Sequence, residues 1–290
     1  MNLLVVDFDY FFTKIERAQD SRFEREYQLY DWGHIEEHSI FYETIWQIRA
    51  GAFLRAGQTL PGVDRVALDS FWSRFHFSPR AQLFFADSNM YAAHERIGRY
   101  IHGVWLFDAH ADAGYHPDAI DRLQATGEVN CENWMLLYAA QDAELHMRYP
   151  TWRHYALEGE PAPLIPLDRQ VDDGSSPMRL APGPVVDVRR SADPIGDIAL
   201  TGDTMAEVVR EQRAEPVIFD RIFVCKSPAW VPSWCDADWK RFIESAPVRR
   251  RVNLDGSKML RTFDLAAAQE EADMIRDGFA RLAVEKEVHA

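Results

Sequence analysis

Short apolar runs recur along this chain, and they predict buried β-strands. The runs are Leu3–Val6, Val66–Leu68, Leu83–Phe85, Val104–Phe107 and Ile222–Cys225. Other segments carry apolar residues at the three- to four-residue spacing of a helix: Ile40–Leu54, Met90–Tyr100, Trp134–Leu145 and Leu265–Leu282, the last with Asp264 as its N-cap. Strands that alternate with helices predict an α/β fold with a mostly parallel sheet, covered by helices on both faces.

Residues from about 160 to 196 interrupt this alternation. The segment contains seven prolines and the turn-forming run Asp172-Asp-Gly-Ser-Ser. We interpret it as a long irregular excursion, either a lid on the substrate side or an ordered surface loop. The 290 residues otherwise fit a single catalytic domain spanning 1–290.

Composition narrows the classes of partner. The formal net charge is −14, whereas nucleic-acid binders concentrate positive charge on one face, so we expect no nucleic-acid partner. An acidic surface favours cationic partners, although solubility alone explains it equally well. Three cysteines without Cys-x-x-Cys spacing indicate neither a disulfide framework nor a zinc ribbon. Without a signal peptide or a membrane-spanning run, the sequence predicts a soluble, cytoplasmic protein; the pattern indicates no oligomeric state.

The strand Val104–Phe107 runs directly into Asp108-Ala-His110-Ala-Asp112. If the strand continued, Asp108, His110 and Asp112 would share one face. Two carboxylates and an imidazole at the end of a buried strand are costly unless a cation neutralises them. A divalent metal ion such as Mn²⁺, Zn²⁺ or Fe²⁺ suits these ligands. The alternative is an acidic surface turn.

The N-terminal strand ends in the same way. Leu3–Val6 is followed by Asp7-Phe-Asp9, and ligands of parallel sheets bind beyond the carboxyl ends of the strands. We therefore expect Asp7 and Asp9 to meet the Asp108–Asp112 segment above adjacent strands. Taken alone, an N-terminal Asp-x-Asp also begins many phosphotransferases that use a strand-end aspartate as nucleophile.

These motifs resemble those of one superfamily. Asp108-Ala-His110-Ala-Asp112 is similar to the Asp-Ala-His-x-Asp signature of the arginase/agmatinase (ureohydrolase) superfamily, whose three-layer α/β/α fold is related to histone deacetylases. Asp7-Phe-Asp9 resembles the superfamily's second metal-binding strand, which here comes first in the chain. Asn130-Cys-Glu132-Asn133-Trp134 and Cys225-Lys-Ser227-Pro resemble segments of a divergent arginase-like family related to the peptide arginases.

The resemblance implies a hydrolase with two Mn²⁺ ions, or alternatively one. An activated hydroxide would attack a guanidinium carbon, converting arginine, within a peptide by preference, to ornithine and urea. The implied metal ligands are Asp7, Asp9, Asp108, His110, Asp112 and, at the sixth position, Asn89. Asp112, Glu132, Asn133 and His116 are candidate catalytic residues, and Glu132, Asn133 and Ser227 are candidate substrate contacts.

Several of these roles have structural alternatives. Glu132 and Asn133 also fit the start of a helix, Trp134 fits the core, and His116 fits the surface. Arginases carry a histidine ligand at the place where the resemblance puts Asn89 or Ser88 in this chain. Either Asp87 substitutes, or one metal position is weak, or a single ion binds. A single ion would indicate a mononuclear, deacetylase-like amidohydrolase, and loss of both ions a non-catalytic arginase-like binding protein.

Overall fold

The computed structural model describes residues 1–12, 42–55, 57–98, 100–114, 118–151, 165, 167–172, 189–190, 198–199, 216–270 and 273–274. Contacts divide the chain into two compact units. The first comprises Met1–Phe11, Asp64–Ser227 and Arg241–Ser257, and the second comprises Phe12–Val63, Pro228–Lys240 and Lys258–Ala290. The single catalytic domain over 1–290 stays a prediction.

The elements of the described residues alternate along the chain. The strands are β1 (Asn2–Asp7), β2 (His76–Ala86), β3 (Gly103–Phe107), β4 (Glu144–Pro150), β5 (Asp168–Asp172), β6 (Arg189–Arg190), β7 (Ile198–Ala199), β8 (Ile218–Cys225) and β9 (Arg250–Asn253). The α-helices are α1 (Tyr42–Arg55), α2 (Arg65–Ser70), α3 (Ala119–Thr126), α4 (Trp134–Ala139) and α5 (Asp236–Ser245). Short 3-10 helices occupy Phe8–Phe11, Phe71–Arg74, Asn89–Ala93 and Ser233–Cys235.

Seven parallel strands form the sheet of the first unit, in the order β5-β4-β3-β1-β8-β2-β9. β1 is central: it pairs with β3 as far as Val6↔Phe107 and with β8 as far as Asp7↔Cys225. All strands of a parallel sheet end at the same edge, so the residues that follow β1, β3 and β8 lie side by side. The predicted α/β fold with a parallel sheet is confirmed.

Apolar side chains cover both faces of this sheet. On one face, Val5 and Leu106 belong to a buried cluster that includes Ala92 of the 3-10 helix and Trp134 of α4. On the other face, the ring of Phe107 packs edge-on against Phe71, with centroids 5.2 Å apart. Burial of apolar surface on both faces explains why the central strands are nearly continuous apolar runs.

Val66–Leu68 is helical, so its prediction as a strand was wrong. The Oδ1 atom of Asp64 accepts hydrogen bonds from the backbone N–H groups of Val66 (2.9 Å) and Ala67 (3.0 Å), which caps α2. Leu68 is buried while Val66 is exposed. A run of three apolar residues does not distinguish a strand from a helix. Here the N-cap Asp64 favours the helix.

Two predicted helices are shorter than their patterns indicated. Among the described residues of Met90–Tyr100, helix is confined to the 3-10 helix Asn89–Ala93, and the segment Trp134–Leu145 is helical only to Ala139. Asp142 then takes a φ of 59°, a left-handed conformation that aspartate adopts more readily than most residues. The chain reverses there and enters β4, which makes Leu145 a buried strand residue.

Three strands of the seven-stranded sheet, β4, β5 and β9, were not predicted, and neither were the two-residue strands β6 and β7. Charged residues interrupt β4, and β9 includes Arg250 and Arg251. β5 lies inside the predicted irregular excursion, the rest of which lies largely outside the described residues. None of the three has a continuous apolar run, and β5 and β9 are the two edge strands, where burial is incomplete.

The second unit contains two of the predicted helices. α1 confirms the helix predicted at Ile40–Leu54, and its Trp46 indole N–H donates to the Pro228 carbonyl (2.9 Å). Residues 265–270 and 273–274 are helical, and Asp264 Oδ1 accepts from the Ala267 N–H (2.9 Å), as an N-cap does. The remainder of that predicted helix lies outside the described residues. Within the described part of the chain, no helix is long and apolar enough to cross a membrane.

Candidate metal centre

The predicted acidic residues meet at the carboxyl edge of the sheet. Asp7 is the last residue of β1, and Asp108 directly follows β3, the neighbouring strand. Asp7, Asp9, Asp108 and Asp112 are between 0% and 6% exposed. The expectation that the two motifs converge above adjacent strands is therefore confirmed.

The route by which they converge differs from the prediction. Alternation along a strand was expected to place the side chains on one face, but β1 ends at Asp7 and β3 ends at Phe107. Asp9 lies instead in a 3-10 turn, and Asp112 adopts a φ of 50°. Turns at both strand ends fold the side chains back toward a common centre.

Asp9, Asp108 and His110 form the tightest group. His110 Nδ1 lies 3.0 Å from Asp9 Oδ2 and 3.4 Å from Asp108 Oδ1, and one ligand atom from each residue lies within 4.8 Å of the others. The His110 side chain is 22% exposed, so the group is reached from solvent on that side. Two carboxylates and an imidazole are a donor set for Mn²⁺, Zn²⁺ or Fe²⁺.

The side-chain amide of Asn89 forms hydrogen bonds with three of the carboxylates. Its Nδ2 atom lies 2.8 Å from Asp7 Oδ2, 3.0 Å from Asp108 Oδ2 and 2.7 Å from Asp112 Oδ2. Asn89 was predicted at the sixth ligand position, where arginases carry histidine, with Asp87 as a substitute. Asn89 lies among the carboxylates, and the substitution by Asp87 stays a prediction.

Burial dominates the electrostatics of this site. It raises the pKa of Asp108 well above its ordinary value, and the charges of Asp9, Asp7 and Asp112 raise it further. Burial also raises the pKa of Asp112, to about 7, and hydrogen bonds from Trp134 and Asn89 offset part of that increase. In the absence of a cation the centre therefore retains protons near neutral pH, and a divalent ion would displace them.

Trp134 fixes the position of Asp112. The tryptophan is fully buried at the start of α4, as its interpretation as a core residue predicted, and its indole N–H donates to Asp112 Oδ2 (2.9 Å). The Met135 N–H donates to the Asp112 carbonyl (3.4 Å). The hydrogen bond to the carboxylate was not predicted, because spacing along the chain does not show which core residue faces the site.

A second buried network holds the turn that carries Asp9. The hydroxyl of the next residue, Tyr10, donates to Asp172 Oδ2 at the end of β5, and Arg74 contacts Asp172 Oδ1 at 2.5 Å. Arg74 also lies over the Phe107 ring, 5.5 Å from its centroid. Asp172 had been interpreted as part of a loop. No sequence signal links these residues, which come from three distant segments.

The other candidate residues occupy varied positions. Asn133 is buried, and its amide bonds the backbone of Asn130 (2.8 Å) and Glu128 (3.2 Å), which is a structural role. Glu132 is partly exposed, and its carbonyl accepts from the Gly114 N–H (2.8 Å), close to Asp112. Ser227 is fully buried after β8, with a φ of 54°. His116 lies outside the described residues.

We predict that Trp134→Phe weakens Mn²⁺ binding by about 10-fold, the scale of changes in the groups that orient metal ligands. The variant removes one of the two donors to Asp112 Oδ2, so the Asn89 amide shifts toward Asp112 and away from Asp108. Tyr138→Phe on the same helix is the control, because it removes a buried hydrogen bond to the Ala92 carbonyl (2.7 Å) without touching a carboxylate. Calorimetric titration measures both affinities. Equal affinities in the two variants would contradict this role of Trp134.

The residues fit a divalent cation on two grounds. The Asp9, Asp108 and His110 atoms face one another closely enough to share an ion. In addition, Asn89 Oδ1 is buried without a hydrogen-bond partner, although its amide lies among the carboxylates. A buried polar atom without a partner is rare outside sites that bind a ligand or ion.

Comparisons of the chain with models of protein families, with curated proteins and with solved structures found no match. The function of the centre is therefore inferred from its own residues.

Proposed function

We propose that this protein is a metal-dependent hydrolase of the ureohydrolase type, which cleaves a guanidino C–N bond in the cytoplasm. The convergence of Asp9, Asp108 and His110 at the ends of two neighbouring parallel strands carries the proposal. A parallel sheet with helical segments on both faces supports the arginase-like, three-layer fold that the motifs resemble.

Each residue of the centre has a defined part in this proposal. Asp9, Asp108 and His110 would hold Mn²⁺, and a bound divalent ion makes water a nucleophile near neutral pH by lowering its pKa. The hydrogen bonds from the Ala109 N–H to Asp9 (3.2 Å) and from the His110 N–H to Asp108 (2.7 Å) orient the two carboxylates. The Tyr10–Asp172–Arg74 network keeps the Asp9 turn in place.

The surroundings of the centre favour a cationic substrate. Backbone hydrogen bonds tie the Asp112–Gly114 segment to Glu132 and Met135, so the backbone of the partly exposed Glu132 lies close to the segment that carries Asp112. A carboxylate there suits a guanidinium group, whose planar donors pair with carboxylates. Addition of water to the guanidinium carbon and cleavage of one C–N bond convert arginine to ornithine and urea. We propose an arginine side chain within a peptide as the substrate.

One observation favours a second candidate function. Asn89 occupies the position of the histidine ligand, which points to a mononuclear centre that hydrolyses an amide, as deacetylases do. The two candidates share the metal site and differ in the bond that is broken.

To test the proposal, the Mn²⁺-loaded protein is incubated separately with an arginine-containing peptide, free arginine and an acetyl-lysine peptide, and the products are measured. Urea, and a peptide product in which ornithine replaces arginine, are the expected results. Acetate release without urea would establish the amide hydrolase instead. If neither product forms, or if His110→Ala is as active as the unaltered protein, the catalytic proposal is wrong and a binding role remains.

A further inference from the structure

The Asn89 amide lies at the centre of three carboxylates. Its nitrogen is within 3.0 Å of one oxygen each from Asp7, Asp108 and Asp112, and the residue is 2% exposed. In proteins such a cluster of carboxylate oxygens is normally neutralised by a cation. Here the positive end of an amide dipole takes that place.

The hydrogen bonding of the Asn89 amide differs from that of an ordinary buried asparagine. The nitrogen carries two protons but faces three acceptors, while the Oδ1 atom of the same group is buried without a partner. An asparagine placed only for structure would be expected to satisfy its oxygen as well. The carboxylates therefore determine the position of the nitrogen.

Asp112 Oδ2 is already fully engaged by protein donors. It accepts from Asn89 Nδ2 at 2.7 Å and from the Trp134 indole at 2.9 Å, which accounts for both lone pairs of that oxygen. A metal ion among these oxygens would need distances of about 2.0–2.2 Å and would have to displace the amide nitrogen. An ion and the amide nitrogen cannot share this position.

We infer that the Asn89 amide takes the place of a second divalent cation, so that the chain holds a single ion, bound by Asp9, Asp108 and His110. The inference rests on the metal site of the proposed function, and a single ion favours the second candidate, the amide hydrolase, over the guanidino hydrolase. Asn89 thereby sets the number of ions: it bridges Asp7, Asp108 and Asp112, which leaves only the His110 side of Asp108 for the metal.

Mn²⁺ titration of the full chain tests this inference, with ions counted by elemental analysis after desalting and their proximity measured by electron paramagnetic resonance. We expect one ion in the unaltered protein. Asn89→Asp is isosteric and replaces the donor with a ligand oxygen, and Asn89→His supplies an imidazole. In at least one of the two variants we expect a second ion and the spectrum of an exchange-coupled pair.

The matched control is Asn253→Asp, which makes the same chemical change at a partly buried amide that bonds Ser257 (2.9 Å) outside the centre. It should retain one ion. Two ions in the unaltered protein would overturn the inference and leave the proposed hydrolase intact, and so would a single ion in both Asn89 variants. An unaltered protein that holds no ion would overturn the inference together with the metal site of the proposed function.

Discussion

Asp108→Asn is expected to abolish tight Mn²⁺ binding and, with it, hydrolytic activity. Asp108 is fully buried and contacts both the His110 imidazole and the Asn89 amide. Its Oδ1 lies 3.4 Å from His110 Nδ1, and its Oδ2 lies 3.0 Å from Asn89 Nδ2. Loss of its charge removes a ligand, so the affinity should fall by more than about 100-fold, the upper end of the effect of altering groups that only orient ligands. Calorimetric titration with Mn²⁺ gives the affinity.

The variant should nevertheless fold. Asparagine has the same shape, its carbonyl can accept from the His110 N–H as Asp108 Oδ1 does at 2.7 Å, and a buried carboxyl with a raised pKa is removed. Circular dichroism and thermal melting in chelator check this. The matched control, Asp118→Asn, removes the same charge from a side chain that is 60% exposed and paired with Arg122. If Asp108→Asn binds Mn²⁺ as tightly as this control, the assignment of the centre fails.

The second large effect concerns the stability of the metal-free protein. Burial raises the pKa of Asp112 to about 7 in the folded chain, above its ordinary value of 3.8. A group whose pKa is raised by folding stabilises the folded state at low pH, and that contribution is lost as pH rises through the folded pKa. Asp112→Asn cannot ionise, so its free energy of unfolding relative to the unaltered protein should increase between about pH 4 and about pH 7, by on the order of 1 kcal/mol per pH unit, and should level off above the folded pKa, where the carboxyl is ionised in both states.

Denaturant unfolding in the presence of chelator measures this difference. The asparagine carbonyl can still accept hydrogen bonds from Trp134 and Asn89, so packing should change little. Comparison with Asp118→Asn separates the burial of the carboxyl from the loss of one negative charge. A difference that stays constant or decreases between about pH 4 and about pH 7 would show that folding does not raise the pKa of Asp112.

The sequence predicted the strands that lie deepest in the sheet and missed those at its margins. β1, β3 and the Ile222–Cys225 part of β8 are central, buried and almost continuously apolar, so a local pattern suffices to identify them. β5 is an edge strand, and only Val171 is apolar in its five residues. β5 forms by pairing with β4, and this tertiary contact cannot be predicted from the local sequence pattern.

The candidate site was predictable at the level of which residues meet. Asp7 and Asp108 each end an apolar strand, and a parallel topology brings such ends together. The turns that orient Asp9 and Asp112 toward the centre were not predictable. The φ of 50° at Asp112, for example, depends on contacts with α4. The Tyr10–Asp172 hydrogen bond joins residues 162 positions apart, and nothing local in either segment indicates it.

Anomalous X-ray diffraction from crystals of the full chain grown with Mn²⁺ tests the single-ion centre most directly. We expect one anomalous peak within coordination distance of Asp9, Asp108 and His110, with the Asn89 amide still among Asp7, Asp108 and Asp112. A peak among those three carboxylates with Asn89 displaced, or no peak at the carboxyl edge of the sheet, would contradict it.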